Sequence, residues 1–431
     1  MRPAAGLVLG LLWVSLTLGV GSAADWAVVP SITARTEFTN NLNFAPTAPI
    51  SDYIFTLAPT ANFNYTTDIG QLQGILGVTG RHYLSNGQLD HIDQNFQING
   101  RYQAAPRLNL SFSTAYISDS SLQEEFATSG LIMTRTPRTS IQAGPGMTYA
   151  LTERLSATVN YNYYKVDYQS QQFQNYYSQQ AGLILQQQLK NEKTTLIGNF
   201  LAQDTRYPTQ DNDSKSLGFQ VGGIHSFSPD WQVNLLGGIN ISFMNFQTQV
   251  QDFSQFPFFS SVRQTKVQQT SVSPFINLAF THRWTDKFST SGGYTRNQAP
   301  SAVGSISDNN QVSLSLNYQF SDRLSGNLNG GYALSNQISN SNGFKSEFIG
   351  VTPQLTYRLT EEINLSPGYQ FGDNISGGTS AKAQTVFLMM TYTRLALASE
   401  KKAPSPAGTQ PATVTGRERL PFFGRTLFQL Y

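Results

Sequence analysis

The sequence has no cysteine and little charge. Cysteine is absent from all 431 residues, and Asp, Glu, Lys and Arg together make up only 13% of the chain. A chain without cysteine uses no disulfides, which is compatible with export through an oxidising compartment. Ordinary soluble domains carry about 25% charged residues, so the composition argues against that class. The net charge of +2 favours neither nucleic acid nor an acidic partner.

Long apolar runs are also missing after the first 24 residues. A membrane-spanning helix needs roughly 18 consecutive apolar residues, and no later segment has them. At the amino terminus, Arg2 precedes an apolar run from Ala4 to Val20, and small residues follow it. This pattern predicts a signal peptide over residues 1–24, cleaved after Ala23 or Ala24. An uncleaved signal anchor is the alternative.

The rest of the chain alternates between apolar and polar residues with a period of two. From Leu155 to Tyr163 the odd positions are apolar or aromatic and the even positions are small and polar. The polar face is nearly uncharged, whereas a soluble sheet would carry many Lys, Glu and Arg there. A lipid-facing exterior and a polar interior explain both faces. The sequence therefore predicts an all-β fold, a transmembrane antiparallel up-and-down β-barrel over residues 25–397. Lipid contact is expected at even positions from Leu108 to Tyr116 and at odd positions from Leu155 to Tyr163.

Short polar turns recur along the chain, such as Trp284-Thr285-Asp286-Lys287 and Phe320-Ser321-Asp322-Arg323. They alternate with longer connections, as in outer-membrane barrels whose short turns are periplasmic. Counting strands between them gives about 18, an even number that returns both termini to one side. Aromatic residues next to the short turns predict a girdle at the membrane interface. These residues are Phe227, Trp231, Trp284, Phe288, Phe320 and Tyr357.

Several prolines fall inside the predicted strands, where each removes a hydrogen-bond donor from the ladder. They mark either β-bulges or errors in the predicted strand limits. These prolines are Pro59, Pro145, Pro274, Pro353 and Pro367.

The amino-terminal region carries a family resemblance. The stretch from Thr36 to Phe44, followed by the one from Ser51 to Pro59, resembles the opening of the β-barrel porin 2 family. Its members have a short acid-Asn-aliphatic motif, for which this chain has Asn40-Asn41-Leu42, and a Ser-Asp before a strand with an apolar-x-Pro step. The resemblance implies an outer-membrane barrel of the kind associated with exopolysaccharide or exosortase-linked export. It brings no catalytic residue.

The carboxyl-terminal residues 398–431 form a distinct segment, rich at first in Pro, Ala, Gly and Thr, which predicts a flexible periplasmic tail with an aromatic end. Two stretches compete to close the barrel. Val386 to Leu395 completes the strand count, whereas Thr426 to Tyr431 has the terminal aromatic residue typical of barrel proteins. The first is the favoured closing strand. The tail is then a recognition peptide or a segment that docks on the periplasmic rim.

Catalytic and metal-binding patterns are not expected. The alternation places His82, His225 and His282 on the apolar face, which indicates interfacial positions. The sequence contains no Gly-x-Ser-x-Gly motif and no set of ligands with metal-binding spacing. We therefore predict no catalytic residue, no metal and no cofactor.

The predicted interior is lined by neutral amides and some arginines. Amides can hydrogen-bond hydroxyl-rich solutes, and inward arginines favour anions or pair with carboxylates near the rim. The connections near 119–138 and 247–268 are predicted to be the longest, and the second has aromatic residues that stack on sugar rings, narrow the pore or cap the mouth. The candidate loop-contact residues are Phe253, Phe256, Phe258 and Phe259. The candidate pore-lining residues are Arg81, Arg101, Arg107, Arg283, Arg358, Asn160, Asn162 and Asn317.

Three functional hypotheses follow from these features. The first is an outer-membrane porin-like channel for hydrophilic solutes, which the family resemblance links to exopolysaccharide export. The second is a structural or surface-attachment barrel with a closed lumen and functional extracellular loops. The third, an enzyme of the lumen or rim, has the least support. The expected partners are outer-membrane lipid, the barrel-insertion machinery and a hydrophilic solute or polysaccharide, with no nucleic acid.

Overall fold

The computed structural model of the protein describes residues 25–120, 136–252, 261–338, 345–394 and 397–398. Their alternating pattern forms one antiparallel sheet of long strands. In chain order the strands are β1 (Asp25–Thr39), β2 (Asp52–Thr66), β3 (Gly70–Tyr83), β4 (His91–Ala105), β5 (Leu108–Asp119), β6 (Arg138–Ala150), β7 (Leu155–Tyr168), β8 (Tyr176–Gln188), β9 (Thr194–Tyr207), β10 (Asn212–Ser228), β11 (Trp231–Asp252), β12 (Ser261–Thr285), β13 (Phe288–Pro300), β14 (Ile306–Gln319), β15 (Leu324–Ile338), β16 (Lys345–Arg358), β17 (Ile363–Ser376) and β18 (Thr379–Thr393).

The sheet closes on itself through its first and last strands. Each strand pairs with the next, and β1 pairs with both β2 and β18. A two-residue extension, Leu397–Ala398, continues β18 along β1. The predicted closed barrel of about 18 strands is confirmed, and the closing strand contains Val386, as favoured. Residues 1–24 and 399–431 lie outside the described residues, so the signal peptide and the tail stay predictions.

The two faces of the wall follow the alternation. Val159 is 50% exposed on the outer face, and its partners across the ladder are Met147 and Leu183, which are also exposed. Directly paired residues share a face, so the outer surface is a continuous apolar band. The even positions of β5 and the odd positions of β7 therefore point outward, as predicted, and their contact with lipid stays a prediction. Among the described residues, no helix has the length and apolar character needed to cross a membrane.

The two rims differ in the length of their connections. On one rim Pro229 and Asp230 alone join β10 to β11, and Asp286 and Lys287 alone join β12 to β13. Residues 40–51 and 169–175 are longer connections on the opposite rim. The residues of the predicted aromatic girdle lie on the outer face of the barrel, next to the short-turn rim. There Trp231 and Trp284 flank His282 at ring-centroid distances of 5.6 and 4.2 Å.

The prediction of a long loop at 247–268 is wrong. β11 runs through Asp252 and β12 begins at Ser261, and the ladder between them pairs these two residues. The paired stretches 247–252 and 261–268 lack an apolar face in the sequence, because polar residues occupy most of their positions. The strands nevertheless satisfy each other's main-chain groups, so an apolar face is not required for them to pair. The connection at 120–137 is long, as predicted.

The five strand prolines are neither bulges nor strand ends. All five lie on the outer face, and the register does not shift at any of them. Each proline lacks the N–H that would bond to one of its two neighbouring strands, and the ladder with that strand is interrupted at the proline. At Pro59, Pro145, Pro353 and Pro367 the pairing resumes beyond the gap. At Pro274 it does not, because the β12–β13 ladder ends at Ile276 and Arg296.

Candidate functional site: the barrel interior and its mouth

The inner wall carries the predicted amide side chains. The Nε2 of Gln142 donates to the Oδ1 of Asn162 at 3.1 Å, and the Nδ2 of Asn199 donates to the Oε1 of Gln220 at 3.0 Å. On β14 and β15 the Nδ2 of Asn327 lies 2.5 Å from the Oδ1 of Asn317. Neighbouring strands thus present their amides as hydrogen-bonded pairs. These amides offer donors and acceptors without fixed charge.

Some of these amides have unused acceptors. The Oδ1 atoms of Asn160, Asn199 and Asn234 are buried and accept no hydrogen bond within the described part of the chain. A buried polar atom without a partner costs free energy unless water or a bound molecule satisfies it. The inner wall is therefore able to bind water or a solute that donates hydrogen bonds.

The interior also contains apolar side chains, which the prediction of a lining of amides and arginines did not include. Ile184, Ile197 and Leu236 face inward and are at most 8% exposed, and Ile224 and Phe275 pack against them. We call these five side chains the inner apolar cluster. They come from five consecutive strands, β8 to β12. On the inner face of its own strand, each has only polar residues or glycine as neighbours, so alternation along one strand does not reveal the cluster.

The candidate arginines occupy three kinds of position. Arg81 is on the inner wall, with its Nη2 at 3.4 Å from the Oδ2 of Asp93. Arg101 is also on the inner wall, paired across the ladders with Gln71 and Ser111. Near the short-turn rim, the Nε of Arg283 donates to the Oδ1 of Asp230 at 2.6 Å, and the guanidinium of Arg358 donates to the carbonyl of Asp322. Arg107 lies in the turn between β4 and β5.

Two further inward groups were missed by the sequence reasoning. Arg35 faces inward on β1, with its Nη2 at 2.5 Å from the Oε2 of Glu37 and its guanidinium 4.0 Å from the ring centroid of Phe387. The alternation of β1 contained this signal, because Arg35 shares the face of Ser31 and Thr33.

His91 is the second missed group, and it is unlike the other three histidines. Its Nδ1 donates to the carbonyl of Leu89 at 2.6 Å, and its Nε2 lies 2.7 Å from the Oγ of Ser120. A nucleophilic triad would need a carboxylate at Nδ1 to orient the ring. Here Asp93 approaches Nε2 instead, at 3.2 Å. His82, His225 and His282 point outward, as predicted, and the described residues contain no cluster of metal ligands.

The mouth opposite the short turns is crossed by part of the wall itself. Beyond Arg296, β13 leaves β12, and residues 297–309 turn into the barrel while Ile306 to Asn309 stay paired with β15. We call residues 297–309 the inner hairpin. Its Gln298 contacts the inner face of the wall that it has left: the Oε1 accepts a bond from the Oγ of Ser242 at 2.6 Å, and the Nε2 donates to the Oγ of Ser271 at 3.3 Å.

The tip of the inner hairpin reaches β7, β8 and β9. The hydroxyl of Tyr207 donates to the carbonyl of Ser305 at 2.7 Å and accepts from the N–H of Ser301 at 3.1 Å. Ala302 is 0% exposed and packs with a cluster that includes Val166 and Tyr176. Gly304 has a φ of +82°, which a residue with a side chain rarely adopts. The hairpin thus spans from β12 to strands on another part of the wall.

The β1–β2 connection also folds over the mouth. Its Phe44 packs on Phe348 of β16, with ring centroids 5.8 Å apart, and a Cβ on Gly372 would lie 2.9 Å from the Phe44 ring. Both wall residues face inward. The candidate contact residues Phe253, Phe256, Phe258 and Phe259 lie outside the described residues.

Comparisons with known proteins give only distant likenesses. No protein-family model matches the chain, so the resemblance to the β-barrel porin 2 family stays a hypothesis. No curated protein matches it either. Among solved structures, OccK9 (OpdG) of Pseudomonas aeruginosa is 12% identical, with a TM-score of 0.45 over 86% of this chain and 98% of that one. The outer membrane protein OpdK of the same species is 11% identical, with a TM-score of 0.43 over 86% and 99%. The ferric-catecholate import receptor Fiu of E. coli K12 is 8% identical, with a TM-score of 0.43 over 84% and 81%. Likenesses this weak assign neither a family nor a function.

Proposed function

We propose that this protein is an outer-membrane channel that passes hydrophilic, hydroxyl-rich solutes. The observation that carries the proposal is the inner wall of paired neutral amides on a closed barrel whose outer face is apolar. An apolar exterior fits lipid, and a polar interior fits a water-filled path. Outer-membrane lipid and the barrel-insertion machinery are then its partners, and residues 1–24 direct its export.

The chemistry of the wall favours carbohydrate among hydrophilic solutes. Amide oxygens such as those of Asn199 and Asn234 can accept bonds from hydroxyl groups. The inner apolar cluster offers a surface for the C–H face of a sugar ring, next to amides that suit its hydroxyl edge. This pairing supports a role in the passage of a saccharide or an exopolysaccharide, the context implied by the family resemblance.

A second candidate is a barrel whose lumen is closed and whose surface loops carry the function. The observation that favours it is the mouth itself, which both the inner hairpin and the β1–β2 connection partly cover. The two candidates differ in whether any solute crosses the barrel.

Liposome swelling separates them and tests the solute class. The full-length protein in liposomes should admit neutral mono- and disaccharides, with a rate that falls as the solute grows. Liposomes that contain the protein with the luminal substitution Ile197→Trp should swell more slowly, and the outward substitution Leu196→Trp is the matched control. Absence of swelling with every solute would reject the channel and favour the closed barrel.

A further inference from the structure

We propose that the inner hairpin is a gate with two positions, one docked across the mouth and one continuing the barrel wall along β12. This inference rests on the proposed channel function for its role, although the movement itself can be tested without any transport measurement. The gate acts on the extracellular entrance, because the hairpin lies at the rim opposite the short turns.

The tip of the docked hairpin is held by a set of polar contacts with its neighbours. Tyr207 holds both Ser301 and Ser305, the N–H of Gln174 donates to the carbonyl of Ala302 at 2.6 Å, and the Nδ2 of Asn212 donates to the carbonyl of Gly304 at 3.1 Å. Apart from the methyl group of Ala302, these contacts are polar. Polar contacts can exchange for contacts with water, so the net contribution of each one to docking is modest.

Docking also leaves buried oxygen atoms without donors. On the hairpin these include the Oγ of Ser305 and the Oδ1 of Asp308, and next to its tip the Oε1 of Gln174. Within the described part of the chain, none of these three accepts a hydrogen bond. Each buried oxygen without a donor destabilises the docked position relative to one in which water reaches it.

The alternative position is provided by the open edge of β12. β13 pairs with β12 only up to Ile276 and Arg296, so β12 has no β13 partner along Ser261 to Phe275. Continuing the same register would place Gln298 opposite Pro274 and Ser301 opposite Ser271. Main-chain groups at a strand edge favour such pairing. The hairpin would then stand in the wall and leave the mouth.

Two prolines keep this pairing from becoming permanent. The N–H of Arg283 bonds to Asp230 on the β11 side, so the even-numbered residues of β12, among them Pro274, direct their main-chain groups toward β13. Pro274 has no N–H to donate there, and Pro300 at the end of β13 lacks one as well. The β12–β13 ladder therefore ends where proline residues lack the N–H groups needed to continue it. The docked position is therefore the major one, and the position along β12 is a minor one.

Cysteine labelling tests the movement, because the chain has no native cysteine. Ala302→Cys is introduced into the full-length protein in liposomes and labelled with a membrane-impermeant maleimide. The residue is 0% exposed when docked, so labelling should be slow compared with Thr379→Cys at the exposed start of β18. Adding Tyr207→Phe, which removes the hydroxyl that holds the tip, should speed the labelling of residue 302 about tenfold.

Pro274→Thr provides a second, independent variant, since it restores the missing donor on β12 and should also speed labelling. Pro145→Thr is the matched control: it changes another outward strand proline whose ladder resumes, and labelling should not change. If neither Tyr207→Phe nor Pro274→Thr speeds labelling, the hairpin is a fixed constriction and the inference is overturned. If both speed labelling but no variant conducts ions, the movement stands and the proposed channel function fails.

Discussion

The guanidinium of Arg35 on β1 lies 4.0 Å from the ring centroid of Phe387 on β18, so these two residues join the first and last strands inside the barrel. The same ring covers Gly368, where a Cβ would lie 2.2 Å from the Cζ of Phe387. Phe387 is 6% exposed, which shows how closely the seam is packed.

Phe387→Ala should destabilise the closing seam by about 2–4 kcal/mol, because it leaves a cavity above Gly368 and removes the contact with Arg35. Phe387→Leu should cost about half as much, since most of the volume stays. Urea unfolding of the barrel in lipid vesicles measures both. Equal stability of the wild type and Phe387→Ala would contradict the role assigned to this ring.

The assignment of the two faces can be tested at adjacent residues of β7. Val159→Arg places a charge on the outer face and should cost about 2–4 kcal/mol near the middle of a bilayer. Asn160→Arg places the same charge inside and should be tolerated within about 1 kcal/mol. Unfolding in vesicles provides both values. Similar costs at the two positions would mean that the outer face does not contact lipid.

The β3–β4 connection should depend on pH through Asp90. The N–H of Tyr83 donates to its Oδ1 at 2.8 Å and the Nδ1 of His82 lies 2.7 Å from its Oδ2, and these bonds lower the pKa of Asp90 below its usual 3.8. A lowered pKa means that the stabilisation is complete above the usual value and is lost as the pH falls through the lowered one.

Hydrogen exchange of the Tyr83 amide, corrected for its intrinsic rate, should therefore be constant from about pH 7 to 5 and accelerate below about pH 4. Asp90→Asn keeps an acceptor oxygen but cannot titrate, so it should abolish the transition. A transition that persists in Asp90→Asn would assign the effect to another group.

The ion selectivity of the channel should be weakly anionic. Asp93 and Asp230 pair with Arg81 and Arg283, which leaves only a modest positive field from the inner wall. Arg101→Gln removes a guanidinium from that wall and should shift the reversal potential in a salt gradient toward cations. Arg107→Gln, in the turn outside the lumen, should shift it less. A clear cation preference of the wild type would contradict this prediction.

The local pattern of the sequence predicted the barrel because each strand carries its own alternation. Leu155 to Tyr163 is sufficient to define two faces, and the short turns define the strand count. The inward positions of Asn160, Asn162 and Asn317 follow from the same parity. These properties depend on near neighbours in the chain, which a single sequence displays.

The mouth could not be predicted in this way, since it depends on which distant strands meet. Tyr207 and Ser305 are far apart in the sequence, and nothing near either residue indicates the other. The inner apolar cluster could not be predicted for the same reason, because each member comes from a different strand. The sequence did identify Pro274 as a proline inside a strand. It did not reveal that the pairing of β12 with β13 would end there and not resume.

Ion conductance across a planar lipid bilayer shows directly whether the protein is a channel. The purified full-length protein should insert and produce stepwise conductance increases, and the Pro274→Thr variant should show a larger open fraction. Bilayers exposed to detergent alone provide the baseline. Insertion of folded barrels without any conductance, in the wild type and in Pro274→Thr alike, would contradict the account of this protein as a channel.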